Sequence, residues 1–255
     1  MSILLLRLAG PMQSWGIQSR FSVRDTGLEP SRSGVVGLLC CALGRGRDQP
    51  LDDFLPDKLE MGVRVDHEGR MARDWHTAQV VAKAGGGPPK DCEPSQRYYL
   101  ADASFLVALR GEESFLKRLH EALRTPVWPL FLGRKAFVPS SPIWQPEGVL
   151  PDDELEAVLR RAAWPRPVRP QEADYPKRLR LVLETAPSQT ASTHEVVEPR
   201  HDVPLSFADR RFTVRYVRTA WLDNPHLTLL QPEFDHVSDE AVAESPVASG
   251  SARSC

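Results

Sequence analysis

The spacing of hydrophobic and polar residues over the first 50 positions predicts a strand, a loop and a helix. Residues 2–8 (SILLLRL) are almost continuously apolar, which is typical of a strand buried on both faces. Residues 31–43 carry apolar side chains three and four positions apart, with Ser31 or Ser33 as the N-terminal cap of a helix. Gly44 follows and supplies a left-handed helix end.

The next segments complete an order of elements with a known architecture. Residues 59–65 alternate apolar and polar side chains as a half-buried strand does, and residues 99–109 predict another strand. A helix is predicted over 112–123, followed by a short strand at 129–132. The order strand, helix, strand, strand, helix, strand is that of the split βαβ unit. We therefore predict an α+β, ferredoxin-like (RRM-like) domain over residues 1–140.

A long insertion interrupts this predicted domain. Residues 67–97 contain the run GGGPP, several charges and few large apolar side chains. Such a segment cannot belong to the core, and long insertions in compact domains are usually functional or disordered. We expect a thumb-like arm that becomes ordered on a partner.

The pattern after residue 140 is less regular. A helix at 152–163 and strands near 179–183 and 212–219 predict a small, mainly β, C-terminal α+β region over residues 141–230. Residues 231–255 are Ser, Ala, Pro and acids, which predicts a disordered acidic tail.

Charge is distributed unevenly along the chain. The net charge is −2, but residues 233–255 hold five acids and one base. Residues 1–50 contain six Arg against three acids, and residues 200–218 contain five Arg against two acids. Basic patches on a nearly neutral protein suit a short RNA better than a long duplex bound without sequence preference.

The sequence lacks the motifs of several other functions. Its cysteines and histidines show no metal-ligand spacing, and no GxxxxGK[ST] phosphate loop or GxSxG motif occurs. We therefore expect neither a metal nor a cofactor. No apolar run approaches the ~18 residues of a membrane span, and no basic region precedes the first strand. We expect a cytoplasmic protein with no membrane anchor.

The loop after the first strand has an unusual chemistry. Gly10–Pro11 ends the strand, and a thioether, an amide, a hydroxyl and an indole follow in Met12, Gln13, Ser14 and Trp15. Large aromatic side chains mostly fill cores, which is one interpretation. In the other, Trp15 or Met12 stacks on a nucleobase while Gln13 and Ser14 read base edges.

Two groups of cations are candidates for RNA contacts. Arg134 and Lys135 follow a glycine at a predicted strand end, a position suited to a phosphate that the backbone approaches closely. Arg211 and Arg215 share one face of the strand at 212–219, and Arg210 precedes them. A solvated protein surface is the alternative interpretation of both groups.

A metal-independent endoribonuclease is the alternative function. It would need a general base, usually His or Tyr, near the attacking 2′-hydroxyl, with Lys or Arg stabilising the phosphorane. His76, in the run RDWHT with Arg73, is the first candidate, and Tyr98 with Lys135 is the second. The alternative interpretation of His76 is a hydrogen-bonded histidine at the base of the arm, which is the commoner role of such a residue.

Six motifs in chain order resemble one family. They are LAGPMQSWG, PSRSGVVGLL, RDWHT, YLADASF, GRKAFVPSSP and DVPLSF, and together they span about residue 3 to residue 220. The combination resembles the CasD family, the Cas5-type subunits of type I-E CRISPR Cascade complexes in the RAMP superfamily. RAMP proteins are ferredoxin-like RNA binders, so the resemblance agrees with the predicted order of elements.

The resemblance implies a structural role without catalysis. Members of that family hold the repeat-derived 5′ handle of CRISPR RNA (crRNA), cap the backbone of CasC subunits and contact the large subunit CasA. Target DNA would be met only through the assembled complex. By similarity, the loop at 12–15, the segment Arg32, Ser33 and Gly34, and the residues 133–135 would line the handle-binding surface. The insertion at 67–97 would be the thumb.

Overall fold

The computed structural model describes residues 1–17, 22–163, 176–186 and 196–224. The acidic tail predicted at 231–255 lies outside the described residues. In chain order, the elements are β1 Ser2–Ala9, β2 Met12–Gln13, β3 Val23–Arg24, α1 Arg32–Leu43, a short 3₁₀ helix Asp52–Phe54, β4 Leu59–His67, β5 Arg70–Val81, β6 Lys90–Ala101, β7 Ser104–Gly111, α2 Glu113–Arg124, β8 Trp144–Pro151, α3 Leu155–Arg161, β9 Arg178–Thr185, β10 Val197–Ser206 and β11 Arg211–Asp223.

Seven of the described strands form one sheet in the order β10-β11-β9-β4-β7-β1-β8. At its centre, β1 lies between β7 and β8, and β4 pairs with the other edge of β7, all antiparallel. Since α1 follows β1 and α2 follows β7, the predicted order of alternating strands and helices is present. Its last strand is β8, however, and the predicted strand at 129–132 is wrong.

Segment 129–132 forms loop contacts in place of a strand ladder. The Leu132 amide donates to the Phe137 carbonyl at 2.8 Å, and the Leu132 carbonyl accepts from the Ser14 amide at 3.1 Å. These bonds close a turn around Gly133, whose φ of +86° has the left-handed sign that glycine tolerates. Leu132 is therefore buried in the main core although it belongs to no strand.

The helix predicted over 31–43 is confirmed, and local residues set both of its ends. The Ser31 side chain accepts a hydrogen bond from the Gly34 amide, and Gly44 closes the helix at φ +69°. The apolar side chains of α1 pack with α2 on the face of β1 that carries Leu4, Leu6 and Leu8.

The opposite face of the sheet is covered by α3. Ile3 and Leu5 of β1 join Val158 and Leu159 of α3 in a second cluster. Because both faces are covered, β4 is buried along almost its whole length, including the polar Arg64. The prediction of a half-buried strand at 59–65 is thus wrong, because the face predicted to be exposed is also buried.

The C-terminal strands extend the same sheet. β9 pairs with β4 as well as with β11, so the proposed boundary near residue 140 does not separate a second sheet. Residues 1–224 cluster as a single unit. The predicted helix at 152–163 is α3, the predicted strands near 179–183 and 212–219 are β9 and β11, and β10 was not predicted.

The predicted insertion is an antiparallel hairpin of β5 and β6, here called the hairpin arm (residues 70–101). At its base, β2 pairs with Leu100 and Ala101 and β3 pairs in parallel with Gln96 and Arg97. The predicted strand at 99–109 is interrupted at Asp102, which has a left-handed φ of 56°. This turn directs β7 into the large sheet.

None of the helices in the described ranges is long and apolar enough to cross a membrane.

Candidate nucleic-acid interface

The Gln13 side chain is fully used within the protein. Its Nε2 donates to the carbonyls of Leu8 at 3.1 Å and Ala103 at 2.7 Å, and its Oε1 accepts from the indole Nε1 of Trp15 at 3.2 Å. Gln13 has no solvent exposure. The prediction that it reads base edges is therefore wrong, because its amide already bridges the first strand to the turn before β7.

Trp15 is a core residue with 1 % exposure. Its ring lies against α1, so closely that a Cβ added at Gly34 would be 2.8 Å from Trp15 Cε3. Its amide donates to Thr26 Oγ1 at 2.9 Å, and its carbonyl accepts from the Gly27 amide at 2.8 Å. A ring enclosed in this way cannot stack on a base, so the core interpretation of Trp15 is the correct one.

Met12 and Ser14 complete the anchoring of this loop. Met12 is half-buried and packs against the main core. The Ser14 hydroxyl lies 3.3 Å from the Tyr98 carbonyl, to which it donates. A Cβ at Gly133 would lie 1.7 Å from the Ser14 carbonyl oxygen, so glycine is required there for the loop to pass. Met12 thus helps to anchor the loop and does not line the groove described below, whereas Ser14 reaches the surface at the edge of that groove.

Arg32 and Arg215 are also interior residues. Arg32 is 1 % exposed and forms an ion pair with Glu184, while its Nη2 donates to the Phe54 carbonyl at 2.6 Å. Arg215 donates to both carboxylate oxygens of Asp202, at 2.7 and 2.9 Å. The prediction that these two guanidinium groups contact RNA is wrong, because their charges are neutralised inside the protein.

Arg211 and Arg215 do not lie in line on one exposed face of β11. Both register shifts insert their extra residue in β10, so alternation along β11 keeps Arg211 and Arg215 on one face, but this face is buried at Arg215, while Val214 and Tyr216 are exposed. Arg210 and Arg211 lie exposed at the β10–β11 turn. Only these two of the three predicted arginines are accessible.

The opening loop, α1 and the turn at 133 surround one surface groove of about 540 Å³, here called the arginine groove. Ser14, Trp15 and Gly16 contribute one side, and the N-terminal turn of α1 contributes Ser31, Ser33 and Gly34. The remaining lining residues are Arg24, Asp25, Arg47, Arg97, Gly133, Arg134, Phe207 and Phe212. The groove thus brings together segments that are far apart in sequence. Its lining includes Ser33, Gly34 and Arg134, which were predicted to share one surface.

Three arginines form a basic wall of this groove. Arg24 and Arg97 are register partners on β3 and β6, and Arg134 Nη2 donates to the Tyr98 carbonyl at 2.8 Å. Desolvation first, and then the neighbouring positive charge of Arg97, lower the pKa of Arg134. Among the described residues, none of the three forms a salt bridge. No salt bridge within the described chain therefore neutralises the wall, although the carboxylates of Asp74 and Asp25 offset part of the charge effect on Arg134.

The N-terminal turn of α1, which lines the groove, adds positive electrostatic potential to that of the arginines. The first turn of α1 holds no acidic residue, and backbone amides there carry the positive end of the helix dipole. Arg47 lies exposed at the rim beyond the other end of α1. Asp25 is the one acid among the groove-lining residues that the structure describes, and it accepts from the Ile17 amide at 3.2 Å.

The remaining predicted residues lie outside the groove lining. Arg73 and His76 are exposed on β5, where the Arg73 guanidinium lies 5.3 Å from the centre of the Trp75 ring. Lys135 is exposed next to Arg134. His76 is opposite Ser95 and Tyr98 is opposite Arg73, so strand alternation places the side chains of His76 and Tyr98 on opposite faces of the hairpin arm.

The lining residues that sequence reasoning missed include Arg24, Arg47, Arg97, Phe207 and Phe212. Arg24 and Arg47 belong to the basic window at 1–50, which was a usable signal. Arg97 gave none, because its role depends on the pairing of β3 with β6.

The groove combines arginines that form no salt bridge in the described chain with a helix N-terminus and close backbone turns, and it lies beside a helix-covered sheet. These features define a protein suited to binding a phosphate backbone. The family model described as CRISPR-associated protein (Cas_Cas5) matches residues 3–218. The chain belongs to this Cas5 family, which confirms the resemblance seen in the sequence motifs.

Curated and solved relatives agree with this family. The chain is 36% identical over 157 residues to the CRISPR system Cascade subunit CasD of Escherichia coli (strain K12), covering 56% of this chain and 70% of that protein. A crystal structure of a Cas protein matches at 39% identity with a TM-score of 0.65, over 87% of this chain and 95% of the other. A CRISPR RNA-guided surveillance complex contains a chain that matches at 37% identity and a TM-score of 0.68, over 87% and 90%.

Proposed function

We propose that this protein is the subunit of a type I-E Cascade complex that holds the 5′ handle of crRNA, and that the arginine groove is where the handle binds. The observation that carries the proposal is the basic wall of Arg24, Arg97 and Arg134, which lacks salt bridges within the described chain. Membership of the Cas5 family and the similarity to a Cascade subunit support it.

The groove offers three kinds of phosphate contact. Guanidinium groups of the basic wall can bind phosphate oxygens in bidentate fashion. The amide end of α1 near Ser33 favours an anion through the helix dipole. Gly133 lets a backbone turn reach the groove surface without a side chain in the way. These groups position a nucleic-acid backbone, and they read no sequence by themselves.

We also propose that the central βαββαβ unit is the ferredoxin-like module of RAMP proteins. The antiparallel order β4-β7-β1-β8, with α1 and α2 packed on one face, supports this assignment. In the same proposal, the hairpin arm is the thumb. Its exposed Trp75 and Val80 are apolar surfaces available to the CasC backbone, while CasA binds elsewhere on the subunit.

We propose that the subunit is not an enzyme. A base and a stabilising cation must approach the same phosphate, yet His76 and Arg73 are three residues apart on β5, so strand alternation places their side chains on opposite faces of the hairpin arm. If the alternative endoribonuclease were correct, purified protein with a chelator would cleave repeat RNA at one site. His76→Ala would then abolish that cleavage.

The binding proposal is tested by neutralising the basic wall. Arg97→Gln with Arg134→Gln removes two of its charges, while Arg118→Gln with Lys117→Gln removes two exposed charges from α2. Binding of synthetic handle RNA is measured by fluorescence anisotropy at several salt concentrations. For single strands the slope of log K against log salt is about −0.7 per phosphate contact.

We expect the groove variant to bind more weakly and its slope to flatten by about 1.4, while the α2 variant matches the wild type. Equal slopes for all three proteins would refute the groove as the binding site. Thermal unfolding of each variant distinguishes lost binding from lost folding, since Arg134 also donates to the Tyr98 carbonyl.

A further inference from the structure

The β10–β11 turn brings two aromatic side chains to the arginine groove. Phe207 and Phe212 flank the turn sequence ADRR, and both line the groove. They are half-buried, so each ring contacts the protein and keeps part of its surface open to the groove. No other aromatic ring with appreciable exposure lines this groove among the described residues, since Trp15 is enclosed.

The turn is held in place at several points. Phe207 packs against α1, where a Cβ added to Gly37 would lie 3.8 Å from Phe207 Cζ. The Ala208 amide donates to the Arg47 carbonyl at 3.1 Å, and the Asp209 amide donates to Ser206 Oγ at 3.1 Å. Phe212 is the register partner of Pro204. Both rings are therefore presented by a turn that is tied to α1 and to the loop after it.

The two walls of the groove differ in chemistry. Arg24, Arg97 and Arg134 form the basic wall, whereas Phe207 and Phe212 add apolar ring surface to the lining of the same groove. A cationic track combined with exposed aromatic faces is the arrangement that binds single-stranded nucleic acid. A paired duplex keeps its base faces stacked inside, so it offers nothing for such rings to contact.

We propose that Phe207 and Phe212 form a base-stacking wall of the arginine groove, so that the groove accepts an unpaired nucleotide of single-stranded RNA and discriminates against duplex RNA. This inference rests on the proposed function of the groove. It adds the residues that contact the bases and the basis for discrimination against duplex RNA, whereas the arginines contact the phosphates.

The test replaces each ring by a branched aliphatic side chain that keeps apolar packing. Phe207→Leu and Phe212→Leu are compared with Tyr216→Leu, which alters an exposed ring of the same strand outside the groove. The probe is synthetic single-stranded handle RNA carrying the adenine analogue 2-aminopurine in place of one base at a time. Its fluorescence is quenched when it stacks, so the signal reports stacking and not affinity alone.

We expect wild-type protein and Tyr216→Leu to quench at least one position equally. Phe207→Leu or Phe212→Leu should lose that quenching and bind about fivefold or more weakly, with the salt slope unchanged. Handle RNA annealed to its complement should bind the wild type at least about fivefold more weakly than the single strand.

The outcomes separate this inference from the proposed function. If both Phe variants bind the RNA and quench its fluorescence as strongly as the wild type does, the stacking wall is refuted. The groove would then remain the binding site. Absence of salt-dependent binding by the wild type would overturn the proposed function itself. Circular dichroism and thermal unfolding of the Phe variants, matched to Tyr216→Leu, show whether a loss comes from misfolding, because Phe207 also contacts the core.

Discussion

At the scale of single residues, the close approach of two backbone segments to the loop around Trp15 shapes the groove. The Trp15 ring fills the space beside α1, and its indole N–H is satisfied by Gln13. Gly34 lets the helix approach this ring, and Gly133 lets the turn pass the Ser14 carbonyl. Residues that resemble a binding motif in sequence are thus the packing that holds the accessible arginines in position.

Replacing the buried indole should cost stability first. We expect Trp15→Ala to lower the free energy of unfolding by about 3–5 kcal/mol, the usual cost of removing a large buried aromatic side chain. Trp75→Ala, at a ring that is 61 % exposed, is the matched control and should change it by less than about 0.5 kcal/mol. Urea titration measures both, and an unaltered midpoint for Trp15→Ala would contradict the core assignment.

Two glycines of one helix should respond in opposite directions to alanine. At Gly37 a Cβ meets only Phe207 Cζ at 3.8 Å, so Gly37→Ala should stabilise the protein by about 0.5–1 kcal/mol through helix propensity. At Gly34 the Cβ would be 2.8 Å from the enclosed Trp15 ring, and Gly34→Ala should destabilise by about 1–3 kcal/mol. Thermal unfolding of the two variants tests this. Equal shifts of the unfolding temperature would mean that the Trp15 ring can move to accommodate the added methyl group.

At the scale of elements, the hairpin arm has two parts with different roles. Its base contributes Arg97 and pairs with β2 and β3, so it belongs to the groove. Its outer part is exposed on both strands and makes no contribution to the two core clusters. The outer part is therefore available to partners, as proposed for the thumb.

Shortening the arm should separate these roles. Ala78 and Glu93 are directly opposite, so replacing Val80–Cys92 by one glycine leaves the two-residue loop Gln79-Gly between them. We expect the free energy of unfolding and handle affinity to be unchanged, and assembly into the purified complex to fall. Unfolding of this variant would mean that the outer hairpin is needed for the core, while intact assembly would refute its proposed contact with the CasC backbone.

At the scale of the whole molecule, a buried charge network joins the N-terminal helix to the last strands. The Arg32 amide donates to Asp202 Oδ2 at 2.7 Å, and Arg215 binds both Asp202 and Glu184. These bonds connect α1 to β9, β10 and β11 of the large sheet. The strands β9, β10 and β11 are thus part of the same unit as α1 and the N-terminal strands.

The pH dependence of stability should report this network. Burial opposes ionisation of Asp202, but its hydrogen bonds and the charge of Arg215 outweigh this effect and lower its pKa. A lowered folded-state pKa gives stability that is complete above the unfolded value of about 3.9 and is lost as the pH falls through the folded value. Asp202→Asn should cost about 3–5 kcal/mol at pH 7, because the buried Arg215 loses the carboxylate that accepts two of its hydrogen bonds and keeps only Glu184 as an ionic partner.

The measurement is urea unfolding from pH 7 down to pH 3. The stability difference between wild type and Asp202→Asn should stay constant to about pH 5 and narrow below about pH 4. Asp209→Asn, at an exposed carboxylate of the adjacent turn, provides the control and should change stability little at any pH. A difference that does not narrow in acid would show that Asp202 is not ionised in the folded protein.

The sequence by itself determined the local elements and the family. Continuous apolar residues specified β1, and Ser31 and Gly44 specified the ends of α1, because caps and periodicity act over a few residues. The ordered motifs indicated the family, which the match over residues 3–218 confirms. The strand at 129–132 was wrong, and the pairing of β9 with β4 across residue 140 was not predicted, since strand pairing depends on distant partners.

Only the tertiary structure decided which polar and aromatic side chains face solvent. Arg32 and Arg134 look alike in sequence, but the acids of β9 and β10 meet the first and not the second. Trp15 and Phe207 are both aromatic residues near a turn, yet α1 encloses one and leaves the other at the groove. The physical reason is that burial and charge pairing are set by segments distant in the chain, and local patterns contain no record of them.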